Sequence, residues 1–97
     1  MATIVSVVVP VFNAASTLTR CIEALLAQDY PAERREIIVV DDGSTDHSGV
    51  LLAPYRDRVV LLGAARRGSS AARNAGIRRA KYDYVAFTDD DCVPEPD

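Results

Sequence analysis

The sequence predicts an α/β fold, with a mostly parallel sheet and helices on both faces. Three observations lead there. Four short β-branched apolar runs recur along the chain, and helical periodicity fills the gaps between them. The first three runs also give way to a proline- or glycine-bearing segment at the carboxyl end, and the fourth to an aspartate triplet. With 97 residues there is room for one small domain, taken as residues 1–97. The hydrophobic fraction of 48% and charged fraction of 26% exclude a disordered or collagen-like chain. No apolar run approaches the roughly 18 residues of a membrane span. The first residues lack the basic segment that opens a secretory signal.

The elements follow in order. Ile4–Val9 is apolar on both faces, as a strand buried in a parallel sheet must be. Pro10 is expected to stop it, because proline donates nothing to a ladder. A helix then starts in Asn13–Ser16, with Asn13 or Ser16 as its cap. Leu18, Ile22, Leu25 and Leu26 give it one apolar face, with Cys21 beside them, and it ends near Gln28–Tyr30, before Pro31. Glu36–Val40 is the second strand, running into the turn Asp41–Asp46. A weak helix spans Ser48–Tyr55, weakened by Gly49 and Pro54. Val59–Leu62 is the third strand and Gly63–Gly68 a loop. Ser69 or Ser70 caps a helix that continues to about Ala80. Its inner face is small (Ala72, Ala75, Gly76, Ala80), which lets it lie close to a sheet. Tyr84–Thr88 is the fourth strand and ends at Asp89-Asp90-Asp91.

In such sheets ligands sit beyond the carboxyl ends of the strands. The residues with chemistry to offer cluster there: Pro10–Asn13, Asp41–Ser44, the glycine loop and the aspartate triplet. Asp89 and Asp91 alternate, so in extended chain they share a side. Two carboxylates about 5 Å apart repel by roughly 3 kcal/mol at an effective dielectric near 20. A divalent cation removes that penalty and favours hard oxygen ligands. By itself the triplet reads as a solvated acidic turn; its position after a buried strand favours the metal. Asp42 can accept hydrogen bonds from a base or ribose, against the simpler reading of an Asx-type turn. Phe12 offers an aromatic edge and Asn13 a hydrogen-bonding amide, against a plain strand end. Gly63–Ser70 has the glycine spacing of a P-loop, but Ser69 stands where the phosphate-binding lysine belongs, which excludes that class. A helix N-terminus still favours anions, and Arg73, one turn in, can reach a phosphate or a base. Acids for a metal, a cation at a helix start and polar groups for a base describe a site for a nucleoside diphosphate with a divalent ion.

Composition limits the partners. The net charge is −3, so nucleic acid is not expected. Cys21 and Cys92 are too few and too far apart for a disulfide framework, and a reducing cytosol is the expected compartment. The single histidine, His47, completes no zinc site or triad and reads as a solvated loop residue.

Four segments together resemble the N-terminal nucleotide-binding half of a family 2 glycosyltransferase, of GT-A, Rossmann-like fold. They are Val5–Asn13, Glu36–Asp46, Gly68–Ile77 and Asp83–Asp91, and the likeness covers essentially the whole chain. The resemblance implies transfer of a sugar from a nucleotide-diphospho-sugar donor, uridine diphosphate type, with inversion at the anomeric carbon. It places Pro10, Phe12 and Asn13 beside the nucleotide, Asp42 on the base and Arg73 on the nucleotide or its phosphates. Asp89 and Asp91 match the DxD motif. Asp89 helps place ribose and donor, and Asp91 makes the direct contact to Mn²⁺ or Mg²⁺. In such enzymes the general base lies well downstream of DxD, in the acceptor half, and Glu95 and Asp97 are too close to serve. The resemblance therefore implies a part that binds nucleotide weakly without normal turnover, with an open sheet edge suited to self-association. The acceptor (glycan, lipid or protein) is not legible, and the parent enzyme can sit at the cytoplasmic membrane face.

Three other readings compete. A nucleotidyltransferase needs a glycine-rich basic loop after the first strand, where Pro10–Asn13 stands instead. A non-catalytic nucleotide-binding or assembly module needs only the donor half. A phosphoacceptor receiver needs an aspartate after its third strand, where this chain has Leu62-Gly63.

Overall fold

The structure, a computed structural model, describes residues 5–27, 35–46, 48–64, 66–82 and 84–88. Four parallel strands form one sheet in the order β3-β2-β1-β4. They are β1 (Val5–Val11), β2 (Arg35–Asp42), β3 (Val60–Ala64) and β4 (Tyr84–Phe87). Helix α1 (Ala15–Ala27) joins β1 to β2, and α2 (Ser48–Leu52), followed by a 3₁₀ turn at Ala53–Tyr55, joins β2 to β3. Helix α3 (Ser69–Arg79) joins β3 to β4. The expected α/β sheet with helices on both faces is therefore what forms.

Direction of travel decides which face each helix covers. The chain steps outward from β1 to β2 to β3, then crosses back past β1 to place β4. With one hand common to all crossovers, reversing direction moves the connecting helix to the other face. Accordingly α1 and α2 pack on Val9, Val11, Ile37 and Val39. Ala72 of α3 packs on Val8, Ile38 and Val40 from the opposite side. The sheet thus has a switch in strand order between β1 and β4, and in open sheets of this kind ligands bind at the carboxyl ends beside such a switch.

Helix α1 buries Leu18, Cys21, Ile22 and Leu25, the i, i+3, i+4, i+7 stripe its sequence carries. The small inner face of α3 has a tighter consequence. A Cβ built on Gly76 would stand 2.4 Å from Cγ1 of Val8, which is fully buried, so helix and strand touch where glycine leaves room. Beneath α3, at the amino ends of the strands, the buried Ser6 hydroxyl donates to Glu36 Oε2 at 2.7 Å. The same oxygen accepts the Lys81 N–H at 2.7 Å and pins the link into β4.

Several boundaries differ from expectation. Strand β1 continues through Pro10 to Val11. The Val8 carbonyl accepts from Thr88 N–H, so it faces β4, and by alternation Pro10 faces the same way. Val8–Phe87 is the last register pair with β4, and the next ladder bond would need a Pro10 N–H, so the proline falls at the end of the β1–β4 ladder rather than inside it. Strand β2 extends to Asp42, and β3 extends through Gly63, which pairs with Asp41. Neither Asn13 nor Ser16 caps α1: the Ala14 and Ala15 N–H groups donate to Ser48 Oγ at 3.1 Å and Asp46 Oδ2 at 3.1 Å. Ser69 and Ser70 lie inside the first turn of α3, with Gly68 at the N-cap and no side-chain cap. The expected α1 end at Gln28–Tyr30 lies outside the described residues, as does His47. Cys21 is free and buried, and Cys92 also lies outside them. No helix among the described residues is long and apolar enough to cross a membrane.

Candidate functional site

The carboxyl ends of β1, β2 and β3 and the start of α3 meet on one rim. At the end of β1, Asn13 takes a left-handed backbone with φ of 51°, a conformation asparagine tolerates better than most residues. Its Oδ1 accepts the Thr45 N–H at 2.8 Å, and its own N–H donates to Ser44 Oγ at 3.0 Å. The β1 and β2 loops are thereby tied together. Asp41 Oδ1 accepts the Ser44 N–H at 3.0 Å, so the Asx-type turn weighed from sequence forms on Asp41. Asp46 closes the far side of this loop, with Oδ1 accepting the Ser48 N–H at 2.9 Å. These bonds, the Ser48 hydroxyl first, hold its carboxyl below the usual range.

Asp42 is freed from that turn by alternation, and points to the α3 face. It is 3% exposed. Its Oδ1 accepts the Arg67 N–H at 2.9 Å, and its Oδ2 accepts the Gly68 N–H at 3.0 Å and a guanidinium N–H of Arg66. The Arg67 amide, then Arg66 and the Gly68 amide, lower its carboxyl pKa against the opposing effect of burial. Two glycines make the approach possible. Gly68 takes φ of 101°, turning its N–H toward the carboxylate. A Cβ on Gly43, at φ of 73°, would stand 2.6 Å from the Arg66 nitrogen, so the β2 and β3 loops meet backbone to backbone.

Phe12 is 38% exposed, and the Arg66 guanidinium carbon lies 3.7 Å from its ring centroid. A planar cation stacked on an aromatic face is favourable. Phe12, Arg66 and Asp42 thus form one contiguous unit. Pro10 lies half-buried two residues before Phe12. Arg73 sits half-buried in the second turn of α3. Beside α3 a groove of about 450 Å³ is floored by Val40 and Asp42, with Arg67, Asn74 and Arg78 along its sides.

The structure therefore gathers Phe12 and Asp42 through Arg66, and anchors Asn13 to Ser44 and Thr45. Strand β4 runs parallel to β1 and its carboxyl end leads to this rim. Asp89 and Asp91, the expected DxD pair, lie outside the described residues. Among the described residues no group of three or more His, Cys, Asp or Glu could hold a metal. Sequence reasoning missed Arg66 and the Arg67 and Gly68 amides. The signal was a glycine loop after β3, weighed only as a phosphate loop.

Comparison with known proteins points in one direction. The sequence model of the family described as glycosyl transferase family 2 matches residues 6–97. Glycosyltransferase AglE of Haloferax volcanii is 37% identical over 94 residues, covering 93% of this chain and 31% of AglE. A crystal structure of S. aureus TarS in complex with UDP superposes with a TM-score of 0.77 at 32% identity, covering 90% of this chain and 27% of that one. The mannosyltransferase PcManGT from Pyrobaculum calidifontis, in complex with GDP-Man and Mn²⁺, gives a TM-score of 0.88 at 30% identity, covering 100% of this chain and 30% of that one. The chain spans about a third or less of the length of the curated relatives it matches.

Proposed function

We propose that this chain, which belongs to glycosyl transferase family 2, is the donor-binding part of a metal-dependent, inverting glycosyltransferase of GT-A fold. The donor is a nucleotide-diphospho-sugar, of the uridine diphosphate type. The observation that carries the reading is Asp42, a buried carboxylate held ionised at the strand-end rim next to an exposed aromatic ring. Such a pair suits a nucleobase, with the ring packing against the base and the carboxylate accepting its N–H. Family membership displaces the nucleotidyltransferase and receiver readings. The UDP-bound and GDP-Man-bound neighbours support a nucleotide-sugar at this rim.

In this reading Pro10, Phe12 and Asn13 shape the nucleotide pocket, Asp42 binds the base, and Arg73 offsets phosphate charge. Asp89 positions ribose and donor. Asp91, with Asp89, supplies the hard oxygens that suit Mn²⁺ or Mg²⁺. When bound, that ion would neutralise charge growing on the leaving diphosphate. An inverting transfer also needs a base to take the acceptor proton. None of these 97 residues is assigned that task, so the chain alone binds donor without normal turnover. The cysteine usage suits a cytoplasmic enzyme.

Titration calorimetry with UDP and with GDP, each with and without Mn²⁺, tests the proposal. Metal should tighten binding, Asp91→Ala should abolish that gain, and Asp42→Asn should weaken binding about tenfold or more. Binding indifferent to metal and to Asp91 would refute the assignment.

A further inference from the structure

We infer that in the free chain the Arg66 side chain occupies the place of the donor's base, so that nucleotide binding must expel it. This rests on the nucleotide role proposed for Asp42 and Phe12. A base subsite of this kind needs a π face to stack on and a carboxylate to accept an N–H. Both are engaged by a single planar group. The Arg66 guanidinium stacks 3.7 Å from the Phe12 centroid and donates along its edge to Asp42 Oδ2. A flat group that stacks by its face and donates N–H in its plane makes the contacts an imide-bearing base would make.

The two compete for one approach to Asp42, over the Phe12 ring. A carboxylate offers about four lone-pair directions. Three are taken: Oδ1 by Arg67 N–H, and Oδ2 by Gly68 N–H and Arg66. The Asp42 side chain is 4% exposed with Arg66 in place, so the guanidinium covers its approach from the Phe12 side, while the groove beside α3 borders it from the other. Withdrawal of Arg66 frees one direction on Oδ2 and uncovers the Phe12 ring.

The loop is built so that only the side chain needs to move. The Arg66 backbone is packed against Gly43, where a Cβ would meet the Arg66 nitrogen at 2.6 Å. The Arg67 and Gly68 amides hold Asp42 whether or not the guanidinium is present. The Arg66 side chain itself is 51% exposed and can swing into solvent. Arg66 is thus an affinity-determining residue: apparent affinity falls by the fraction of molecules in which it has left.

The test measures UDP binding by calorimetry and uridine binding by NMR shift, in wild-type chain and in Arg66→Ala. Uridine carries no phosphate, so it isolates the base from any loss of attraction between Arg66 and a diphosphate. Arg66→Ala should bind uridine at least threefold tighter, and Arg66→Lys, which pairs with Asp42 but does not present a flat guanidinium, should fall between. Unchanged or weaker uridine binding in Arg66→Ala overturns the inference. A second readout uses the wild type alone. The Arg66 Nε–H resonance, shielded by the Phe12 ring in the free chain, should move toward its solvent-exposed position as UDP is added. UDP binding that leaves it shielded overturns the inference and spares the nucleotide assignment. No binding of UDP or uridine by either protein overturns both.

Discussion

Replacing Gly76 by alanine tests the packing of α3 on the sheet. The added Cβ would sit 2.4 Å from Val8 Cγ1, 3.0 Å from Cγ2 and 3.2 Å from Cβ. Val8 is fully buried in a central strand and β-branched, so its methyls have few other rotamers to adopt. Either the strand side chain leaves its well or α3 lifts. Overpacking of this kind costs about 1–3 kcal/mol. Alanine is the better helix former by about 1 kcal/mol, which offsets part of it. The net expectation is a loss of up to about 2 kcal/mol, read as a lower urea midpoint and a fall in Tm of about 4–8 °C per kcal/mol. Val8→Ala removes both offending methyls. The double variant should therefore lose less than the sum of the two singles, by about 1 kcal/mol or more of coupling. Gly76→Ala at or above wild-type stability, with additive singles, would mean that α3 does not lie on β1 as described.

Two further expectations follow from the loops. Ser48→Ala should cost about 1–2 kcal/mol, because the Ala14 N–H at the start of α1 loses its buried acceptor; the check is a lower urea midpoint with faster hydrogen exchange at Ala14, and unchanged exchange there would contradict it. Asp42 and Asp46 have folded pKa values held below the ordinary 3.8. Their stabilisation is therefore complete above that value and is lost as pH falls through the lower folded values. Asp42→Asn should be less stable than wild type at pH 7, with the gap between the two urea midpoints narrowing as pH falls below the ordinary carboxylate value. A constant gap across that range would contradict the assignment.

Much of the fold was legible because its signals are local. The runs Val5–Val9 and Ile37–Val40 are apolar at successive positions, and only a strand covered on both faces accommodates that. The Leu18, Ile22, Leu25 spacing repeats at the helical period, and the alanines and Gly76 of α3 announce close approach. The candidate site was legible in part. Strand-end rules picked out Phe12, Asn13 and Asp42, but Arg66 carried no local mark. An arginine in a loop reads as a solvated cation until a partner is placed beside it. The cap of α1 was misread for a related reason: its acceptors, Asp46 and Ser48, arrive from more than 30 residues away and displaced the nearby candidates.

The sequence alone determined which segments are strands and helices, and which polar residues lie at strand ends. Backbone sterics and side-chain periodicity act between neighbours, and those preferences survive in any tertiary setting. Tertiary structure alone decided the strand order, the placement of Pro10 at the end of the β1–β4 ladder, and the meeting of Phe12, Arg66 and Asp42. These depend on how far one strand extends past another and on which loops touch. Loop closure brings together residues whose separation along the chain encodes no mutual distance. Asp42 and Gly68, 26 residues apart, share a hydrogen bond because Gly43 lets two loops meet.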